Sequence, residues 1–351
     1  GSWAREKGQG WMATRALITG ITGQDGSYLA ELLLSRGYEV WGLVRGSVTA
    51  LYERLAGCQN RLHLTSGDLL DQNSLSEAVA QAKPAEIYHL AGPSYVPTSW
   101  RQAVLTGEVA GVGTTRMLEA TRQAAPEARF YLAGSADIFG DASPEPQDEQ
   151  TAWQPRSPYA VAKAYAQTMV CAYREQHGMF ACTGIAFNHT SPRRGHEFVS
   201  RRISDGAARV RLGLSTDLRL GNLDARRDWG FAGDFVDAMH RIVTADHASD
   251  YVLGTGEVHT VRELVVRAFE VLDLPLAWEG RGLSELARDP DGRVVVRVDE
   301  ELYRPLEAEA RVANPSRARV ELGWSPSLSW DQLITMMVKA DYDRLSVEKG
   351  V

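Results

Sequence analysis

ALITGITGQDGSYLAELLLSRGYEVWGLVR, residues 16–45, opens as an apolar strand and turns through Gly20, Gly23 and Gly26. An amphipathic helix closed by Gly37 follows, then a second strand ending at Arg45. Strand, glycine turn, helix and strand in this order read as a dinucleotide-binding βαβ unit. Glycines let the backbone turn tightly and come close to a pyrophosphate, and the free N–H groups opening the helix face its negative charge.

The glycines follow Gly-x-x-Gly-x-x-Gly, with Thr19 just before them, and this variant resembles the short-chain dehydrogenase superfamily. Units that prefer NAD place an acidic residue near the end of the second strand to hold the ribose 2′-hydroxyl. Here GLVRGS ends in Arg45 with Ser47 behind it, so the expected cofactor is NADP.

At 351 residues the chain can bury a substantial core in one large α/β domain or two interleaved ones. A net charge of −7 argues against a nucleic-acid binder. No apolar run approaches a membrane span, and GSWAREKGQGW before Met12 lacks a signal peptide's apolar region. Residues 1–12 are read as a tag remnant outside the fold, and the protein is expected to be soluble and cytoplasmic. Three cysteines, Cys58, Cys171 and Cys182, are too few and scattered for a disulfide framework or zinc site. No His/Asp/Glu cluster has convincing metal-ligand spacing, so no metal site is expected.

HLTSGDLLD reads as a third strand, with Asp68 and Leu69 placed against an adenine. AEIYHLAGPS (85–94) reads as a fourth, continuously apolar one in which His89 is a core histidine. A helix through Val109–Gln123 leads to a fifth strand, ARFYLAGSADIFG (128–140), with Ser135 and Asp137 at its carboxyl end. The alternation predicts an α/β Rossmann fold, a doubly wound parallel sheet with its ligand crevice at the carboxyl ends of the strands. The Pro-rich and acid-rich loop DASPEPQDEQTAWQPRSP then leads to SPYAVAKAYAQTMV, whose Tyr159 and Lys163 share one helix face. A phenol titrates near ~10 and needs a nearby cation to act as a base at neutral pH, which Lys163 can supply from one turn away.

A sixth strand is expected to end at Asn188, and arginines then gather at 193, 194, 201, 202, 209, 211, 219, 226 and 227. So dense a passage in an acidic protein points to polyphosphate recognition, with about half of these arginines balanced by Glu197, Asp205, Asp217 and Asp228. The expected organisation is a Rossmann domain over 13–187 that also receives about 223–256. A smaller interleaved lobe takes 188–222 and 257–351.

Together GITGQDGSYLAELLLSRGYEV, RSPYAVAK, FNHTSPRRGHEFVSRRI, LGNLDARRDWGFAGDFV, TGEVHTVRE and YRPLE resemble the GDP-mannose 4,6-dehydratase family of extended short-chain dehydrogenases, from about Ala16 to Met337. The resemblance implies tightly bound NADP, a lobe gripping the GDP of a GDP-hexose, and assembly as a homodimer or homotetramer. It assigns Tyr159 to the O4 proton while hydride leaves C4, Lys163 to the phenol and cofactor ribose, and Ser135 to O4. Asp137 takes the C5 proton and helps expel the C6 hydroxyl as water, and hydride then returns to C6.

The implied cofactor set is Gly20, Gly23, Gln24, Asp25, Gly26, Arg45, Asp68, Leu69, Leu90, Ala91, Tyr159, Lys163, His189 and Arg194. The implied substrate set is Ser94, Asn188, Arg202, Arg227, Arg304 and Glu307. Three departures from the family pattern surround the hexose: Ser135-Ala136-Asp137 for Thr-Ser-Glu, Gly92-Pro93-Ser94 for Ala-Gln-Ser, and Asn188-His189-Thr190 for Asn-His-Glu. In addition, Arg45-Gly46 replaces two arginines. The changed hexose pocket keeps open a mass-conserving GDP-hexose isomerase, either an epimerase or a pyranose–furanose mutase. A protein that binds GDP-sugar or NADP without turning it over is the remaining alternative.

Overall fold

The computed structural model describes residues 13–140, 145–303 and 311–350. Its centre is a seven-stranded sheet of β1 (Arg15–Thr19), β2 (Glu39–Val44), β3 (His63–Ser66), β4 (Glu86–His89), β5 (Arg129–Ser135), β6 (Ala181–Ala186) and the strand Tyr251–Leu253. The order runs β3, β2, β1, β4, β5, β6, Tyr251–Leu253, and every pairing is parallel. The chain winds one way from β1 through β3 and the other way from β4 on, so the switch point lies between β1 and β4.

Apolar residues on both faces of β1 explain why it is central. Leu17 joins a core with Leu75, Val79, Met117 and Val170, from helices Gln72–Ala82, Gly113–Ala124 and Pro158–His177. Ala16 and Ile18 face the other side, where Leu29 and Leu33 of helix α1 (Gln24–Ser35) meet Phe235 and Met239 of helix Ala232–Val243.

Several elements end earlier than apolar patterning implies. β4 stops at His89: the Leu90 amide is shared between the Thr19 carbonyl and hydroxyl, both at 3.2 Å, and the Ala91 amide turns to Thr19 Oγ1 at 3.1 Å. β5 stops at Ser135, whose hydroxyl accepts from the Asp137 amide and opens the short turn Ala136–Phe139. β6 ends at Ala186, and Asn188 instead starts Asn188–Thr190, a short strand paired with Trp229–Phe231. A wider helical turn, Gly107–Val112, precedes the helix expected from 109.

A second core holds the other lobe together. Helices Val199–Arg211, Val261–Glu270 and Trp330–Lys349 pack on a four-stranded sheet of Ala277–Glu279, Leu286–Arg288, Val294–Val298 and Leu218–Leu220. Beneath it the Arg201 guanidinium lies on Asp341 at 2.7 Å, with side chains 8% and 1% exposed, and Ser204 donates to the same carboxylate. Ala318 and Trp324 pack with Phe235 in the dinucleotide-side core, so the stretch before the last helix crosses back to the first lobe. Among the described residues no helix is long and apolar enough to cross a membrane, and no three His, Cys, Asp or Glu side chains cluster as metal ligands. Cys58, Cys171 and Cys182 are free.

Candidate active site

Two glycines of the loop admit no side chain. Gly20 has φ +72°, and a Cβ there would sit 2.8 Å from the Ala91 nitrogen; one on Gly26 would sit 2.3 Å from the Gly20 carbonyl oxygen. Gly23 caps α1 without any side-chain hydrogen bond, which leaves the first-turn N–H groups for an anion. Above them opens a cleft of about 960 Å³, lined by the loop together with Arg45, Asp68, Leu69, Leu90, Ala91, Ser94 and Arg194. Tyr52 and Arg54, which no sequence motif marked, line it beside Arg45. The glycine cradle, the uncapped helix and the arginine at the end of β2 fit a phosphorylated dinucleotide.

The base of the loop is tied to the segment after β6. Ser191 donates to Gln24 Oε1 at 2.9 Å, and Gln24 Nε2 donates to Asp25. His189 lies between the Asp25 carboxylate at 2.7 Å and the Phe187 carbonyl at 2.8 Å, stacked on Phe235. Each ring nitrogen of His189 thus has a hydrogen-bond partner within the protein. Burial works to raise the Asp25 carboxyl, but the charge and hydrogen bond of His189, aided by Gln24 and Arg194, hold it below its ordinary value. His189 therefore clamps the loop from beneath, with both ring nitrogens engaged inside the protein.

Ser157 caps the helix Pro158–His177 by accepting from the Ala160 amide, which sets Tyr159 in its first turn. Tyr159 is buried, and this pushes its phenol well above its ordinary value, reinforced by the negative charge of Asp137. A hydrogen bond with Ser135 and the Arg194 charge oppose the rise. Lys163 donates to the Ala133 carbonyl at 2.9 Å, with its ammonium 5.8 Å from the Tyr159 ring centre, and burial lowers it to about 8. In this structure the phenol is thus shifted up rather than down, and the lysine is turned toward β5.

Ser135 Oγ donates to Asp137 Oδ2 at 3.2 Å, so hydroxyl and carboxylate meet at the carboxyl end of β5. On the far side Arg311 Nη1 lies 2.6 Å from Asp137 Oδ1. Arg311 had no sequence signal, being a single arginine in ARVANPS with no motif around it. Beneath β1, His89 Nδ1 meets the Thr19 hydroxyl at 2.8 Å, and its Nε2 is buried without a hydrogen-bond partner among the described residues. Burial, aided by the Lys163 charge, lowers His89 to about 3.

Of the expected substrate residues, Ser94 lines the main cleft, and the other described ones lie outside its lining. Asn188 is exposed at the start of its short strand. Arg202 lines a separate shallow cavity of about 390 Å³ with His196, Asp205 and Arg219. Arg227 pairs in register with His259 and donates to the Arg226 carbonyl. Arg304 and Glu307 lie outside the described residues. Much of the arginine passage serves the protein itself: Arg193 binds Glu31 and covers Tyr28, Arg201 binds Asp341, and Arg209 binds Asp205. Asp228 balances none of them in the way its position suggested; its buried carboxylate accepts the amides of Thr255, Gly256 and Ala313.

A glycine loop at a sheet switch point, a Tyr-x-x-x-Lys helix and a lobe interleaved with the sheet define an extended short-chain dehydrogenase. A solved structure of a Pseudomonas aeruginosa protein, RMD complexed with NADPH, has this fold at TM-score 0.76 and 23% identity, covering 94% of this chain and 100% of that one. The family model for GDP-mannose 4,6 dehydratase matches residues 17–337. Over 337 residues the chain is 45% identical to "GDP-mannose 4,6 dehydratase 2" of Caenorhabditis elegans, covering 93% of this chain and 88% of that protein. It is 43% identical to the Homo sapiens GDP-mannose 4,6 dehydratase, covering 97% and 95%. The chain belongs to the GDP-mannose 4,6-dehydratase family.

Proposed function

We propose that this protein is a GDP-mannose 4,6-dehydratase working with NADP. The observation that carries the reading is the Ser135–Asp137 hydrogen bond at the carboxyl end of β5, with buried Tyr159 in the first turn of the following helix and a glycine cradle at the switch point, in a member of this family. NADP would accept hydride from the sugar's C4 and return it to C6, with C5 taking a proton that originates in solvent. Tyr159 takes the O4 proton, and Ser135 holds O4. Asp137 takes the C5 proton and delivers it to the departing C6 hydroxyl. Arg45, with no acidic residue at the end of β2, supports NADP over NAD. Arg202 and Arg227 serve the diphosphate and nucleoside, and the protein works as a cytoplasmic homodimer or homotetramer, which size-exclusion chromatography with light scattering tests.

A mass-conserving GDP-hexose isomerase is the second reading. It is favoured by the three departures around the hexose and by the ion pair already occupying Asp137. Incubation with GDP-mannose, with and without NADP, distinguishes them by mass. Loss of one water is expected. An unchanged mass together with a new isomer on chromatography refutes dehydration.

A further inference from the structure

Asp137 is not a free carboxylate waiting for substrate. Its Oδ1 is held by Arg311 at 2.6 Å and its Oδ2 by the Ser135 hydroxyl at 3.2 Å, so its two oxygens are chemically distinct. The side chains of Arg311 and Asp137 are 19% and 24% exposed, which keeps the pair shielded yet reachable. Arg311 also donates to the Ala136 carbonyl at 3.4 Å.

The backbone carrying Arg311 is itself pinned. Val312 N donates to Gln147 Oε1 at 2.9 Å and its carbonyl accepts from Gln147 N at 2.8 Å. Asn314 N donates to the Gln147 carbonyl, and Ala313 N to the buried Asp228 carboxylate at 3.2 Å. A guanidinium on so fixed a base gives the short aspartate a rigid stop, and fixed position is what proton transfer from carbon demands.

We propose that Arg311 is a positioning residue for the elimination half-reaction, clamping Asp137 Oδ1 so that Oδ2 alone meets the C5 proton. The inference rests on the acid/base reading of Asp137 given above. Once C4 is a ketone, Oδ2 accepts the C5 proton and the C5–H electron pair moves into the C5–C6 bond. The C6–O bond breaks, its oxygen takes that proton back from Asp137, and water leaves. Arg311 touches neither reacting carbon; it acts through the carboxylate.

The test compares wild type, Arg311→Gln, Arg311→Lys and Asp137→Asn. Each is followed by loss of water from GDP-mannose, by solvent-deuterium incorporation at C5, and by calorimetric titration with GDP. Arg311→Gln is expected to lower kcat about 100-fold, in line with a displacement of about 1 Å, and to slow deuterium incorporation in parallel. KM and GDP affinity are expected to stay within about threefold of wild type, and melting temperature and GDP binding verify that the variant is folded. Arg311→Lys, which keeps the charge but loses the planar fork, is expected to recover about tenfold of that loss.

An unchanged kcat in Arg311→Gln overturns the proposal. So does a retained kcat with a raised KM and weakened GDP binding, which makes Arg311 a substrate anchor. If Asp137→Asn is inactive while Arg311→Gln is fully active, only the Arg311 proposal fails. If Asp137→Asn turns over at the wild-type rate, the acid/base reading fails with it.

Discussion

Replacing Gly26 with alanine tests the cradle where the structure is least forgiving. The new Cβ would lie 2.3 Å from the Gly20 carbonyl oxygen and 2.5 Å from Ile21 Cα, both backbone atoms, against an ordinary contact of at least 3.4 Å. The first turn of α1 and the loop must therefore part by about 1 Å, and the N–H groups that face a pyrophosphate move with them. Loss of one or two charge-assisted hydrogen bonds, about 1.5–3 kcal/mol each, weakens NADP binding by about 100-fold, or about 2.7 kcal/mol. Calorimetric titration of NADP measures this, with melting curves to confirm folding. Gly57→Ala is the control, because a Cβ there meets nothing within 4 Å. An NADP dissociation constant for Gly26→Ala within threefold of wild type refutes the reasoning.

Tyr159→Phe removes the proton acceptor and is expected to cut turnover by about 10³-fold while GDP binding stays within twofold; retained turnover excludes a redox route through the phenol. Arg45→Ala should weaken NADP by about 10- to 100-fold and leave NAD unaffected, since only the former carries a 2′-phosphate; equal losses for both show that the guanidinium faces elsewhere. Lys163 gives up its proton near pH 8 in the folded protein, against 10.5 ordinarily. Between those values the unfolded chain holds the extra proton, so this group makes stability rise with pH from about 8 to 10.5. Lys163→Met should flatten that rise, and superimposable pH–stability curves for the two proteins contradict the assignment.

The legible features share one property, short range. The glycine loop and the Tyr159–Lys163 pair are each written within a few residues, and the parallel order of the sheet follows from alternating strand and helix. What was hidden depends on partners far along the chain. Apolar character continues past His89 and Ser135, yet the strands stop where single hydroxyls capture the next amides. Which arginines of the 193–227 passage are spent on internal pairs was hidden too, since the partner of Arg201, Asp341, stands 140 residues away. Nothing local to His189 shows that Asp25 meets one ring nitrogen and the Phe187 carbonyl the other.

The same distinction separates the two halves of the proposed chemistry. Oxidation at C4 needs Tyr159 and Ser135, from a helix start and a strand end that the fold places side by side. Elimination needs Asp137, whose setting is completed by Arg311 from a segment that crosses back to the sheet after the second lobe. Changes in that distant segment can therefore retune the fate of a 4-keto sugar, either loss of water or return of the proton, without disturbing the groups that make it. In this chain the arginine on Asp137 falls on the elimination side. Solvent-deuterium incorporation at C5 thus reports on the half of the reaction that the proposed role of Arg311 concerns.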